Sequence, residues 1–92
     1  MATTPLEEQE IEDEVTTKEP AKVILFNDDV HTFEEVIVQL MKALRCAEHK
    51  AEALALEVHT NGKGVVYTGE ILHCMEVSHI LEEIKLMTQI EV

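Results

Sequence analysis

The sequence predicts a small α+β domain of two layers, with its elements in the order βααβαβ. Short apolar runs at 21–26, 65–68 and 86–92 predict three strands, and apolar residues at helical spacing predict helices over 33–44, 47–58 and 70–84. Three short strands can bury one face against helices. We therefore expect a three-stranded antiparallel sheet with three helices packed on it.

The first strand is predicted to end in a turn that leads into the first helix. Asn27, Asp28 and Asp29 stop the strand, since their side chains favour turns. Thr32 and Glu35 then have the spacing of a capping box, in which the hydroxyl caps a backbone N–H and the carboxylate reaches back. One helical face follows, formed by Phe33, Val36, Ile37, Leu40, Met41 and Leu44.

The second helix is rich in alanine and is predicted to end before a turn. Residues 59–64 cluster turn-forming side chains ahead of the second strand. The apolar face of the second helix is expected to be Ala51, Leu54, Ala55 and Val58. The inward positions of the third helix are expected to be Ile71, Cys74 or Met75, Ser78, Leu81 and Ile84.

The acidic residues are distributed unevenly along the chain. The 92 residues form one domain, and their net charge is −12. Residues 1–20 alone hold seven carboxylates and a single base, Lys18. This segment has few large apolar side chains, so we expect a flexible acidic arm ahead of a folded domain at 21–92. The charge argues against nucleic acid and anionic membranes as partners and favours a monomer.

The sequence favours a cytoplasmic protein. No apolar run approaches the roughly 20 residues of a membrane span, and the start lacks the pattern of a secretory signal. Cys46 and Cys74 have no CxxC spacing and are expected to be reduced thiols, with a disulfide as the alternative.

Patterns that would indicate an enzyme are missing from the sequence. Ser78, the only serine, lies within a predicted helix, and the segment 62–64 is too short for a phosphate-binding loop. The five histidines form no HxxH or HxxxH pair. We therefore expect no catalytic residue, no cofactor and no metal site.

Asn27, Asp28 and Asp29 at a strand end, together with His59 at a helix end, form a candidate binding site. Several acceptor groups in one place suit a cationic ligand. The same residues are also ordinary turn and helix-capping residues. On these residues alone both interpretations stay open.

Two segments together resemble the ClpS family, the small adaptors of the ClpA and ClpC AAA+ protease machines. They are V-I-L-F-N-D-D at 23–29 and L-E-V-H-x-x-G-K at 56–63, and the resemblance covers residues 21–92. It implies an α+β adaptor that binds N-degrons, which are free N-terminal Leu, Phe, Tyr or Trp. It also implies delivery to the N-terminal domain of the ClpA or ClpC unfoldase, which engages the acidic arm.

The resemblance also implies roles for individual residues. The substrate α-amino group would be bound by Asn27, Asp29 and His59, with Asp28 adjacent, and Glu70 would contact the unfoldase. The first side chain of the substrate would enter a hydrophobic pocket. Its expected lining is Val30, His31, Phe33, Val36, Ala55, Val58 and Leu86.

This chain departs from the family pattern at several of these positions. Phe33 stands where the family has a gatekeeping Met, His31 replaces a Thr, and Ala55 replaces a Met of the pocket floor. The lysine of the docking helix is also absent. The altered pocket residues keep one alternative open, a ClpS-like modulator that docks on the Clp ATPase without recognising N-degrons. A second alternative is a small α+β domain of the ribosomal-stalk kind, which shares the general architecture.

Overall fold

The computed structural model describes residues 20–92, so the predicted acidic arm lies outside the described residues except for Pro20. The division into an arm and a domain at 21–92 stays a prediction. The elements are β1 (Ala21–Phe26), α1 (Phe33–Leu44), α2 (Glu48–Asn61), β2 (Lys63–Gly69), α3 (Ile71–Glu82) and β3 (Thr88–Glu91). The predicted order βααβαβ is confirmed.

Strand β1 lies at the centre of the sheet. It pairs antiparallel with β2 on one side and with β3 on the other. Ala21, Val23 and Leu25 alternate along β1 and are all buried in the core, as expected for one covered face of a strand. Helix α3 packs against all three strands, and α1 packs against α2 and α3. The predicted α+β architecture, with a three-stranded antiparallel sheet and three helices, is confirmed.

Helix α1 begins with the capping box that the sequence predicted. The Thr32 hydroxyl accepts a hydrogen bond from the Glu35 N–H at 3.1 Å, and the Glu35 carboxylate accepts one from the Thr32 N–H at 2.8 Å. Two of the N–H groups that every helix start leaves unpaired are thereby bonded. This contact fixes where the loop after β1 ends.

The turn predicted at residues 59–64 is wrong, because a single residue reverses the chain there. Helix α2 continues to Asn61, Gly62 adopts a φ of 87°, and β2 starts at once with Lys63. Glycine reaches this left-handed conformation without a Cβ clash. Pairing of Lys63 with Phe26 and of Gly69 with Ala21 extends β2 beyond the predicted 65–68.

The buried face of α3 agrees with the prediction at Cys74, Ser78 and Leu81 but differs from it at Ile71. Cys74, Val77, Ser78 and Leu81 are buried at i, i+3, i+4 and i+7, whereas Ile71 and Met75 are 43% and 53% exposed. The inward position predicted for Ile71 is therefore wrong, and of the two alternatives Cys74 and Met75 it is Cys74 that is buried. The helix ends at Glu82, earlier than predicted, and Lys85 with a φ of 68° turns the chain toward β3.

Two further features bear on the sequence predictions. Cys46 and Cys74 are free thiols, as expected, and Cys74 is buried. Among the described residues, none of the helices combines the length and apolar character needed to cross a bilayer.

Candidate functional site

The end of β1 is held between two other parts of the chain. The Phe26 N–H donates to the Met87 carbonyl at 3.0 Å, and the Asn27 N–H donates to the Gly62 carbonyl at 2.9 Å. We call residues 27–32 the acidic loop. The residues between α3 and β3, 83–87, are called the α3–β3 connection. The two bonds hold the beginning of the acidic loop between the end of α2 and this connection.

A cavity of about 470 Å³ opens between these segments. Its volume lies in the range of small-molecule binding sites. Apolar side chains from β1, α1, α2 and the α3–β3 connection form most of its wall, and polar groups of the acidic loop and α2 complete it. The lining residues are Leu25, Phe26, Asn27, Asp28, Asp29, His31, Thr32, Phe33, Val36, Ala55, Leu56, Val58, His59 and Leu86.

The cavity brings together all the residues predicted for the α-amino site and for the pocket, except Val30. Val30 is 83% exposed and does not line the cavity. Its N–H donates to Asp28 Oδ1 at 3.1 Å within a tight turn, and this turn leaves its side chain in solvent. The structure therefore places Val30 outside the wall of this cavity, unlike the other residues expected to line the pocket.

Four lining residues were not anticipated from the sequence: Leu25, Phe26, Thr32 and Leu56. Leu25 and Phe26 directly precede the acidic loop, so their position next to the candidate binding residues was a signal available in the sequence. Leu56 begins the L-E-V-H-x-x-G-K segment and lies three positions before His59 on the same helix, so its spacing was a signal as well.

Asp28 forms its hydrogen bonds inside the acidic loop. Its Oδ1 atom accepts from the Val30 N–H at 3.1 Å and the His31 N–H at 3.0 Å, and its Oδ2 atom lies 2.7 Å from His31 Nδ1. The His31 backbone N–H is the main cause that lowers the pKa of Asp28 below its ordinary value of 3.8, and the His31 ring acts in the same direction. Asp28 therefore holds the loop in shape as a carboxylate.

His31 continues this network across the cavity wall. Its Nε2 atom bonds the backbone carbonyl of Ile84, which is 53 positions away in sequence. The Asp28 carboxylate and then the Ile84 carbonyl raise the pKa of His31 above its ordinary value of 6.5. The ring thus joins the acidic loop to the α3–β3 connection.

Asn27, Asp29 and His59 are exposed polar residues of the cavity rim. His59 lies in the last turn of α2, and its ring stands edge-on to Phe33 with the centroids 6.4 Å apart. The end of a helix carries partial negative charge on its carbonyl groups. The rim therefore combines acceptor side chains with a backbone dipole that favours a cation.

Glu70 lies at the opposite end of the sheet from the cavity. It precedes α3 as its N-cap residue and follows Gly69, which pairs with Ala21 at the start of β1. Five residue steps along a strand separate this end of β1 from its other end, a distance of about 17 Å. Next to Glu70, the apolar side chains of Ile71, Leu72 and Met75 are exposed.

The described part of the chain contains no group of three or more His, Cys, Asp or Glu side chains arranged to hold a metal ion. The expectation of no metal site stays a prediction.

Comparison with known proteins identifies the family. A family model described as "ATP-dependent Clp protease adaptor protein ClpS" matches residues 16–89. The chain belongs to the ClpS family. The ClpS adapter of Campylobacter jejuni is 48% identical over 52 residues, which cover 54% of this chain and 54% of that protein. The ClpS adapter of Sodalis glossinidius is 40% identical over 68 residues, 72% of this chain and 64% of that protein.

Similarity also reaches a eukaryotic protein and a solved ClpS structure. The human E3 ubiquitin-protein ligase UBR2 is 36% identical over 58 residues, which are 63% of this chain and only 3% of the ligase. The chain thus spans a small part of UBR2 and about half of the Campylobacter adapter. The structure of Agrobacterium tumefaciens ClpS2 bound to L-phenylalaninamide superposes with a TM-score of 0.74 at 25% identity, covering 79% of this chain and 95% of ClpS2.

Proposed function

We propose that this protein is a non-enzymatic adaptor that binds N-degrons and delivers them to the ClpA or ClpC unfoldase of the Clp protease. The observation that carries the proposal is the cavity at the end of β1, where an apolar wall meets a rim of acceptor groups. An N-degron has the complementary chemistry, because a positively charged α-amino group sits one bond from the carbon that carries the first side chain.

The α-amino group is bound at the rim. A protonated amine has three N–H donors and requires acceptors around it. The Asp29 carboxylate, the Asn27 side-chain oxygen and a neutral His59 nitrogen supply these acceptors. Asp28 acts indirectly. Its oxygens already bond Val30 and His31, so it holds the acidic loop in shape. An acetylated N-terminus loses the positive charge and two donors, so the site discriminates against it.

The first side chain of the substrate enters the cavity between Phe33, Val36, Ala55, Val58 and Leu86. Burial of one large apolar side chain contributes roughly 1.5–3 kcal/mol. Each charge-assisted hydrogen bond to the amino group contributes roughly 1.5–3 kcal/mol. After the costs of association, we expect a Kd of about 1 μM for free N-terminal Leu, Phe, Tyr or Trp.

The solved relative supports this ligand chemistry. L-phenylalaninamide, which is bound in the structure of Agrobacterium ClpS2, has a free α-amino group and a benzyl side chain. These are the two groups that the rim and the wall of the present cavity match.

Delivery requires a second surface, and Glu70 with its exposed neighbours on α3 is the proposed docking face for the N-terminal domain of the unfoldase. Pro20 enters β1 at the same end of the sheet, so the acidic arm joins the domain beside this face. We place the adaptor in the cytoplasm as a monomer. In the alternative function the protein docks on the Clp ATPase through this face without recognising N-degrons.

Fluorescence anisotropy with short labelled peptides tests N-degron binding. We expect peptides that begin with Leu, Phe, Tyr or Trp to bind at about micromolar Kd, and their acetylated twins and a peptide beginning with Ala to bind at least about tenfold more weakly. Asp29→Asn should lose at least about tenfold in affinity, because it removes the negative charge from the rim.

Glu52→Gln is the matched control, because Glu52 is an exposed carboxylate of α2 that does not line the cavity. Equal binding of free and acetylated peptides, or no binding at all, would contradict N-degron recognition. Intact association with the Clp ATPase in that case would favour the alternative function.

A further inference from the structure

His31 connects two walls of the cavity through both nitrogens of its ring. Nδ1 lies 2.7 Å from a carboxylate oxygen of Asp28, and Nε2 bonds the carbonyl of Ile84. The side chain is only 11% exposed. Beyond Ile84 the chain continues to Leu86, which is buried and lines the cavity. One ring therefore ties the acidic loop to the segment that contributes Leu86 to the cavity wall.

The protonation of the ring follows from its two partners. A backbone carbonyl can only accept, so Nε2 must carry a proton to bond Ile84. An ionised carboxylate also only accepts, so Nδ1 must carry a proton to bond Asp28. Both bonds form together only in the imidazolium. A neutral ring would point a lone pair at one of the two oxygens and lose that bond.

We propose that His31 is a positioning residue of the cavity, whose imidazolium fastens the acidic loop to the α3–β3 connection and whose deprotonation releases the loop and weakens ligand binding. The part that concerns affinity rests on the proposed function. The link that His31 forms between the acidic loop and the α3–β3 connection does not rest on the proposed function, because it is a property of the protein without ligand. The sequence alone predicted only that His31 lines the pocket.

The charged groups around His31 favour the imidazolium. The ring also lines a second, more open groove that contains Glu34 and Glu35 of α1 and Gln39. On the cavity side, the titratable groups near it are Asp28 and Asp29 of its own loop and His59 of α2. The α3–β3 connection contributes the Ile84 carbonyl, and the charged residues beside it, Glu83 and Lys85, line neither the cavity nor the groove. Among the titratable residues that line the cavity and the groove with His31, four carboxylates accompany one further histidine, His59.

Nitrogen NMR of the full chain with 15N-labelled histidine tests the protonation state. We expect both ring nitrogens of His31 to be protonated at pH 6, and we expect the ring to titrate at higher pH in the native chain than in Asp28→Asn. That variant keeps an oxygen for the two backbone N–H groups but removes the charge that faces Nδ1. A neutral His31 ring at pH 6, or one whose titration Asp28→Asn leaves unchanged, overturns the proposal.

Amide hydrogen exchange measures release of the loop without any ligand. The N–H groups of Val30 and His31 bond Asp28, so their protection reports whether the loop is closed. Corrected for intrinsic rates, their protection should fall by about threefold or more as His31 deprotonates, since residues of one hydrogen-bonded network are energetically coupled. Protection that stays constant through this titration overturns the proposal.

Peptide affinity measured over the same pH range completes the test. Deprotonation of the peptide α-amino group should weaken binding to every variant as the pH rises. The native chain should lose about threefold or more affinity beyond that shared decline as His31 deprotonates, whereas His31→Gln should show the shared decline alone. His49→Gln is the matched control, since His49 is an exposed histidine that lines neither cavity, and it should behave like the native chain. A decline in His31→Gln equal to the native one overturns the proposal.

The two proposals fail in distinguishable ways. If no peptide binds at any pH, the proposed N-degron function fails. Nitrogen NMR of the His31 ring and amide hydrogen exchange of the acidic loop then still decide whether His31 fastens the loop. If His31→Gln does not fold, the native chain and Asp28→Asn decide it through their titrations.

Discussion

Asp28 and Asp29 are adjacent carboxylates with different surroundings. Both oxygens of Asp28 bond groups of the acidic loop, whereas Asp29 is exposed at the rim of the cavity. A carboxylate bonded within the protein stabilises the fold, and one left open to solvent remains available to a ligand. We therefore expect substitution of Asp28 to affect stability first and substitution of Asp29 to affect ligand binding first.

The Asp28–His31 pair should make stability depend on pH. The pKa of His31 is raised from 6.5, so its contribution is complete below pH 6.5 and is lost as the pH rises through the folded-state pKa. The pKa of Asp28 is lowered from 3.8, so its contribution is complete above pH 3.8 and is lost as the pH falls through the folded-state pKa. The pair stabilises most between these two values.

Urea unfolding of the native chain and of Asp28→Asn at a series of pH values checks this prediction. The variant should lose about 1 kcal/mol in the free energy of unfolding at pH 5–6, and the difference should shrink toward both lower and higher pH. Asp29→Asn is the control, and the difference in its free energy of unfolding from the native chain should not be largest at pH 5–6. A difference between the native chain and Asp28→Asn that is constant with pH would contradict the pairing.

At the scale of elements, the junction of α2 and β2 positions one side of the cavity. Gly62 ends the helix with a φ of 87°, and its N–H donates to the Val58 carbonyl at 2.8 Å. Its own carbonyl accepts from the Asn27 N–H, so the same residue also holds the start of the acidic loop. This junction brings His59 on α2 next to Asn27 on the loop after β1.

Gly62→Ala should destabilise the protein through backbone conformation alone. A Cβ atom at this position meets nothing within 4 Å, so no clash contributes. A non-glycine residue in the left-handed region costs about 1–2 kcal/mol, which urea unfolding measures. Thr60→Ala, an exposed change in the same helical turn, is the control. An unchanged free energy of unfolding in Gly62→Ala would show that the positive φ is not required.

At the scale of the whole molecule, the sheet separates two surfaces. The cavity lies where β1 ends, and Glu70 lies where β1 begins, because Gly69 pairs with Ala21. Strand β1 is the central strand and its inward side chains are buried, so it forms a rigid spacer between the two. Ligand binding and docking should therefore be separable by mutation.

Glu70→Lys should impair delivery while leaving the cavity unchanged. We expect it to weaken binding to the unfoldase N-terminal domain by about tenfold, since the change reverses one charge at the proposed docking face, and to leave peptide affinity within about twofold. Calorimetry with the isolated N-terminal domain of the unfoldase measures docking affinity, and fluorescence anisotropy with labelled peptides measures peptide affinity. Glu52→Lys makes the same charge change on α2 and is the control. If Glu70→Lys lost both unfoldase binding and peptide binding, the prediction that two separate surfaces carry these functions would be contradicted.

The fold was largely predictable from the sequence because its signals are local. The capping box of Thr32 and Glu35 depends on residues three apart, and the apolar face of α1 depends on spacings of three and four. The acceptor-rich segment 27–29 after a strand indicated where a site would form, and the V-H-x-x-G-K segment indicated a second part of it. The local patterns determined the element order and the helix start, whereas most of the cavity residues were implied by the resemblance to the ClpS family.

Tertiary structure decided the features that depend on contacts between distant segments. The buried face of α3 was set by packing against the sheet, which left Met75 outside. The tight turn around Asp28 excluded Val30 from the cavity. The bond from His31 to Ile84 spans 53 positions, and no pattern of neighbouring residues encodes it. Local geometry determines which element forms, whereas long-range packing determines which side chains meet, and this is why the role of His31 became visible only in the folded protein.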